Sequence, residues 1–329
     1  MDGAAQGRFS KRKKIIGRAF VALGMFVLVG PFLIPIPPLP GTVSAAELAD
    51  ADSQFLDVNG LDVHLKTAGE GERVFILLHG FGATLYSWHA VTPGLAEMGR
   101  VIAFDRPAFG LTERPLPDNW RSNPYTPEAQ AELVINLMDK LEIEQAVLVG
   151  NSAGGAIAAD AALRYPERID ALILVDAAIF SGGGTPSLVR PLLQTPQMQR
   201  VGPLVVRAAS KQLTEGIFLA WHNPDNIPAE TFAAYDVSTQ VDDWDKAFWQ
   251  LVKASQAPKL ADRLDELTMP TLVISGDDDR LVPLEQSIRL GEEIDSAETA
   301  VLPNCGHLPQ EECPDDFMTA VTSFVENLP

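Results

Sequence analysis

The sequence predicts an α/β fold with a mostly parallel central sheet, helices on both faces and an inserted helical cap. Short aliphatic and β-branched runs alternate with helical patterns over residues 53–179 and again over 262–329. That rhythm is typical of strands joined by crossover helices. One run, Ala146-Val147-Leu148-Val149, ends in Gly150-Asn151-Ser152-Ala153-Gly154-Gly155 and leads into an alanine-rich helical pattern at 156–164. Residues 180–261 carry glycine and proline punctuation and helical patterns without a strand run. So long an insertion between two strands predicts a cap.

The 329 residues, 46% of them hydrophobic, suffice for one large domain with an insertion. A net charge of -19 argues against a nucleic-acid partner, because phosphate binding needs clustered Lys and Arg. The chain has no metal-ligand spacing, phosphate-binding loop or internal repeat. Its two cysteines, Cys305 and Cys313, cannot form a disulfide framework. An extracytoplasmic site would permit a bond between them. Their short separation and a helix start near Pro309 nevertheless predict two free thiols.

Residues 1–18 hold Arg8, Lys11, Arg12, Lys13, Lys14 and Arg18 against Asp2, a net of +5 that leaves the remainder near -24. An apolar run follows at 19–36, and about 20 apolar residues are needed to span a bilayer. Residues 1–36 are therefore expected to be a cytoplasmic basic segment and signal-anchor helix. The domain behind them would be membrane-anchored and extracytoplasmic. Secretion after cleavage at Val43-Ser44-Ala45 is the alternative. Residues 37–52, with Pro37-Pro38-Leu39-Pro40-Gly41, read as a linker.

Strands are predicted at 55–58 and 61–66 around Asn59-Gly60, a pair suited to the positive φ of a tight hairpin turn. Further strands fall at 73–78, 100–104, 146–149, 171–175, 271–275 and 298–302. Helices are expected at 88–98 and at 127–141, the latter behind a Thr126 cap with Pro127 in the first helical position. Another is expected at 247–255, within the cap. The cap aromatics Phe218, Trp221, Phe232, Trp244 and Trp249 are read mainly as packing, with some of them roofing a cavity.

The corner at Ser152 is strand, sharp turn, helix with the pattern G-x-S-x-G, and it lifts a hydroxyl clear of the sheet. A serine is a poor nucleophile until a base takes its proton, and the base needs an orienting acid. Of five histidines, His64 lies in the hairpin strand, His79 ends a strand, and His89 and His222 lack a catalytic context. His307 follows the last strand in Asn304-Cys305-Gly306-His307-Leu308-Pro309 and is the expected base. Asp279, within Gly276-Asp277-Asp278-Asp279-Arg280, is the first choice of acid, ahead of Asp278 and Asp176. All lie at strand carboxyl ends, where open α/β sheets bind ligands. An oxyanion needs two converging N–H donors. Ala153 and, in His79-Gly80-Phe81-Gly82, Phe81 are the candidates. No metal or organic cofactor is implied.

These motifs, with Asp105-Arg106-Pro107-Ala108-Phe109-Gly110, Asp279 to Pro283 and His307-Leu308-Pro309, resemble the α/β-hydrolase superfamily over residues 53–329. The order Ser, Asp, His is that superfamily's, with separations of 127 and 28 residues. The resemblance is closest to the capped branch of meta-cleavage C–C hydrolases, haloalkane dehalogenases, epoxide hydrolases and serine esterases. In that branch the acid precedes a segment like Arg280-Leu281-Val282-Pro283, which supports Asp279. Dehalogenases and epoxide hydrolases use an aspartate nucleophile, whereas position 152 is serine. C–C hydrolases usually carry Gly-Pro-Gly in the oxyanion loop and an aromatic after the histidine. Here Phe81-Gly82-Ala83 and Leu308 stand instead. The resemblance therefore implies a serine hydrolase cleaving a small apolar carboxylic ester. A C–C hydrolase and a ligand-binding pseudoenzyme are the alternatives.

Overall fold

A computed structural model describes residues 3–116, 123–180, 184–256 and 259–328, without the side chains of 3–16, 19 and 211–214. Eight strands form one sheet: β1 (Gln54–Val58), β2 (Leu61–Ala68), β3 (Val74–Leu78), β4 (Arg100–Phe104), β5 (Ala146–Asn151), β6 (Ile169–Val175), β7 (Thr271–Gly276) and β8 (Ala297–Leu302). Their spatial order is β1-β2-β4-β3-β5-β6-β7-β8. β2 pairs antiparallel with β1 and β4, and every later pairing is parallel. The first hairpin turns at Asn59 and Gly60, with φ of 56° and 94°. Both values suit this pair, because neither residue pays heavily for the left-handed region.

Alternation along the strands divides the core. Ile76 and Leu78 of β3 and Leu148 of β5 pack under the helices Pro127–Lys140 and Ala153–Arg164. Phe75, Leu77, Val147 and Val149 face the other way, onto Trp88, Phe317 and Val321. Both faces are therefore covered, which is why β3, β5 and β7 are buried along their whole length. The helix expected over 88–98 is instead a 3₁₀ turn, Leu85–Trp88, and a short helix, Thr92–Ala96. Pro93 is the reason: it has no N–H to continue a helix from the preceding turn.

Between β6 and β7 the chain leaves the sheet for helices that include Pro196–Glu215, Ala229–Gln240 and Trp244–Ala254. Trp244–Ala254 buries Ala247, Phe248 and Leu251 in a cluster with Phe109 and Tyr125 of the sheet domain. Residues 37–52, read as a linker, are docked on this segment. Val43 N donates to Gln240 O at 2.9 Å, and Asp242 N donates to Val43 O at 3.0 Å.

The N-terminal helix Gly3–Leu33 lies along Pro196–Glu215. Gln197 Nε2 donates to Leu28 O at 3.2 Å and Arg200 Nη2 to Ile34 O at 3.3 Å. Among the described residues no helix is long and apolar enough to cross a membrane. The expected span is thus unsupported. The apolar run breaks at Gly30-Pro31, and the helix ends at Leu33, so its apolar part reaches about 22 Å of the roughly 30 Å required. The side chains of Arg8 and Lys11 to Lys14 lie outside the described residues.

The two free thiols are a second correction. Cys305 and Cys313 form a disulfide across a Cα separation of 6.2 Å, within the range such bonds need. The intervening helix Pro309–Glu312 is only four residues long, and it turns the chain back onto Cys305. Alkylation of the unreduced protein should add no group to the intact mass. Replacing both cysteines by serine should cost about 2–3 kcal/mol in a urea titration, the loop-closure value for so small a ring. Two added groups on untreated protein would contradict the bond.

Candidate active site

Ser152 is the one residue between β5 and the helix Ala153–Arg164, and its φ and ψ are 54° and -119°. A side chain in this region costs on the order of 1–3 kcal/mol and persists only where the surroundings enforce it. Here Ser152 N donates to Val175 O at 2.9 Å, and Ser152 O accepts from Ala156 N at 3.2 Å and Ala178 N at 3.1 Å. The flanking glycines are a steric requirement. A Cβ on Gly154 would sit 2.2 Å from Leu78 O, and one on Gly150 would sit 2.6 Å from Gly154 O.

The segment after β3 supplies the opposite wall. Arg106 N donates to His79 Nε2 at 3.0 Å, so His79 carries its proton on Nδ1 and donates it to Gly80 O at 2.8 Å. Burial, and then the nearby Arg106 charge, push His79 down to about 3 and keep it neutral. Pinning the Gly80 carbonyl also orients the Phe81 N–H, which points the opposite way in the same planar peptide. Neither Phe81 N nor Ala153 N donates to an acceptor among the described residues. Ala153 N is also the first amide of its helix, whose positive end favours an anion.

His307 Nδ1 lies 2.6 Å from Asp279 Oδ2, with both side chains almost fully buried. Asp279 Oδ1 accepts from Leu281 N at 2.7 Å and Val282 N at 2.9 Å. Burial pushes Asp279 up, but the His307 contact and the two amides outweigh it and hold the carboxyl below its usual range. The neighbouring aspartates are engaged elsewhere: Asp278 with His222 Nδ1 at 2.9 Å and with Arg280, and Asp277 with Cys305 N at 3.3 Å. Consecutive residues of one turn point in different directions, so spacing alone could not rank them. Asp176 lies close to the Asp279–His307 pair.

The loop bearing His307 is held by residues that sequence reasoning did not select. His307 N donates to Ala220 O of the cap at 2.6 Å, and Asn151 Nδ2 donates to His307 O at 3.0 Å. Glu312 accepts from Gly306 N, His222 N and Asn223 N, each at 2.8 Å. Glu311 accepts from Ser87 Oγ at 2.5 Å and also from the cap residue Tyr235. Burial raises the Glu311 carboxyl to about 7. No local motif marks these residues, because their partners are distant in sequence.

A second array has the distances of a triad. His64 Nδ1 is 2.6 Å from Asp105 Oδ2, and His64 Nε2 is 2.9 Å from Ser53 Oγ. Ser53 Oγ donates to Asp50 at 2.8 Å, however, so its proton is already committed to a carboxylate and not to His64. Asp105 also accepts from Leu85 N and Leu111 N at 2.8 Å. The array braces the sheet edge against the loops after β3 and β4.

Two cavities meet at Ser152. One, of about 420 Å³, is lined by Phe81, Ser152 and Ala153 with Tyr125, Leu251 and Val252. The other, of about 340 Å³, is lined by Ser152 and His307 with Phe81, Ile217, Leu219 and Tyr235. None of the five cap aromatics singled out from the sequence lines either one. Trp221 and Trp249 are buried packing. The cap's aliphatic side chains and Tyr235 form the walls instead.

The family model described as alpha/beta hydrolase fold matches residues 73–314. The 2-hydroxy-6-oxo-6-phenylhexa-2,4-dienoate hydrolase of Burkholderia cepacia is 32% identical, over 84% of this chain and 96% of its own. Among solved structures, a meta-cleavage product hydrolase from Pseudomonas fluorescens is 30% identical, with a TM-score of 0.64 over 84% of this chain and 98% of its own. A membrane phospholipase A aligns over 97% of this chain and 99% of its own, with a TM-score of 0.67. At 23% identity that likeness concerns the fold alone. The chain is a hydrolase and belongs to the α/β-hydrolase fold family.

Proposed function

We propose that this hydrolase cleaves carboxylic esters through an acyl-enzyme on Ser152. The observation that carries the reading is the meeting of three features in one place. A strained, accessible serine, a histidine already paired with a carboxylate, and two amides unengaged among the described residues converge on the same cavities. His307 takes the Ser152 proton as Oγ attacks the carbonyl carbon, and Asp279 holds the ring in the required tautomer. The amides of Phe81 and Ala153 bind the developing oxyanion, each worth about 3–4 kcal/mol in known cases. His307 then protonates the leaving alkoxide, and a water activated by His307 releases the acid. Since His307 lines the 340 Å³ cavity, the alcohol departs there and the acyl group occupies the 420 Å³ cavity.

A C–C hydrolase is the second reading, and two observations favour it. The similar curated proteins include dienoate hydrolases. Arg106, a buried cation, also lines the larger cavity. Its guanidinium bonds only uncharged groups among the described residues, His79 O and Gln130 Oε1, so it suits a substrate acid. Initial rates on p-nitrophenyl butyrate and on 2-hydroxy-6-oxo-6-phenylhexa-2,4-dienoate separate the readings. Faster turnover of the dienoate would replace the first by the second.

We further infer that the N-terminal helix tethers the protein to a membrane, with the catalytic domain on the extracytoplasmic side. The basic residues in its first half and its exposed Phe20, Phe26 and Leu33 support this. Full-length protein should sediment with membranes through a high-salt wash and enter solution with detergent. Release of active enzyme by salt alone would refute the tether.

Ser152→Ala should abolish fluorophosphonate labelling and lower kcat about a million-fold, as nucleophile loss does in known triads. Retention of more than a few per cent of activity would sink the assignment. Asp279→Asn should lower kcat by about 10⁴, because an amide stabilises the wrong imidazole tautomer. Asp278→Asn should stay within about threefold of wild type, since its partners His222 and Arg280 lie at the surface. The reverse ranking in steady-state assays would reassign the acid.

A further inference from the structure

β6 delivers a second carboxylate to the same corner. Asp176, the residue after β6, is fully buried and has a φ of 44°. Its Oδ1 accepts from Ser275 Oγ at 2.7 Å, and its Oδ2 has only a long contact from Gly276 N at 3.4 Å. One oxygen of Asp176, one of Asp279 and one ring nitrogen of His307 all lie within 4.8 Å of one another. Two buried carboxylates this close do not both ionise.

The surroundings decide which one keeps the proton. Asp279 receives two short backbone amides and His307, whereas Asp176 receives one hydroxyl and one long amide contact. Burial, followed by the Asp279 charge, holds Asp176 well above the usual carboxylate range. Of the two neighbouring carboxyls, Asp176 is therefore the one favoured to hold the proton.

We propose that Asp176 is a reserve acid: a neutral positioning residue behind Asp279 in the native enzyme, and the orienting carboxylate for His307 once the Asp279 side chain is removed. The proposal rests on the Ser152–His307 reading above. Truncating Asp279 removes the like charge that adds to burial in keeping Asp176 protonated, and it opens room for water beside Asp176 and the imidazole. Asp176 then loses its proton to solvent and accepts the N–H of His307 Nδ1. Asparagine at 279 does neither, because it still fills the space and presents an amide to the ring. The usual order is thereby inverted. The isosteric Asp279→Asn should be more damaging than Asp279→Gly or Asp279→Ala.

The test measures kcat and KM on p-nitrophenyl butyrate for Asp279→Asn, Asp279→Gly and Asp279→Ala, each with Asp176 intact and with Asp176→Asn. Thermal melts establish folding, and having two truncations guards against one failing to fold. The truncations should exceed Asp279→Asn in kcat by about tenfold or more with KM within about threefold, a coupling expected only of residues in contact. Adding Asp176→Asn should erase that advantage while changing the Asp279→Asn variant little. A folded truncation no more active than Asp279→Asn would overturn the proposal. So would an Asp176→Asn effect of equal size in all backgrounds, which is what a merely structural residue would produce. Failure of wild type to label with a fluorophosphonate is a separate result, and it would remove the Ser152 reading itself.

Discussion

The close approach of one helix to one strand governs this molecule. The helix Ala153–Arg164 enters the sheet so near β3 that a methyl group at position 154 would overlap the Leu78 carbonyl. That approach leaves no room for a relaxed residue between strand and helix, so Ser152 takes a left-handed conformation. The same contact brings the helix's first amide beside the segment after β3, where His79 orients the Phe81 peptide. The proposed nucleophile and its two proposed oxyanion donors thus depend on one packing distance. The strain at Ser152 is balanced by backbone hydrogen bonds to Val175, Ala156 and Ala178.

The His307 loop is secured differently. It has little regular structure of its own, and it is held by attachments from three directions. The Cys305–Cys313 bond closes its base, the Glu312 carboxylate gathers amides from the loop and from the cap, and Ala220 O takes the His307 amide. Two of these attachments involve the cap, so the position of the imidazole depends on a segment outside the sheet domain. The Glu311 carboxyl, shared by Ser87 and Tyr235, adds a second tie between cap and core. Being buried and raised to about 7, it titrates within the physiological range.

Charge placement separates the proposed catalytic histidine from a bracing one. His64–Asp105 and His307–Asp279 have the same 2.6 Å separation. Around His64 the serine partner faces Asp50, and Asp105 is occupied by loop amides. Around His307 the serine faces apolar cavities and amides that donate to no acceptor among the described residues. Identical pair geometry therefore serves bracing in one place and suits the proposed nucleophilic chemistry in the other.

The sequence by itself determined whatever obeys local rules. Strands and their burial follow from unbroken aliphatic runs, the hairpin from Asn59-Gly60, and the corner from glycines on either side of Ser152. Placing Asp279 and His307 at strand ends followed from the α/β rhythm. Pro93 is equally local, and it divides the helix expected over 88–98 into Leu85–Trp88 and Thr92–Ala96. Only the tertiary structure decided the rest. Whether Cys305 and Cys313 meet depends on how far a four-residue helix turns the chain. Which of three consecutive aspartates faces His307 depends on the path of one turn. That Tyr235 and aliphatic side chains, not the prominent aromatics, wall the cavities depends on how the cap helices are rotated. Asp176 comes close to Asp279 and His307 because β6 and β7 are neighbours in the sheet. Proximity across a sheet is set by strand order, and strand order is a property of the whole packed chain.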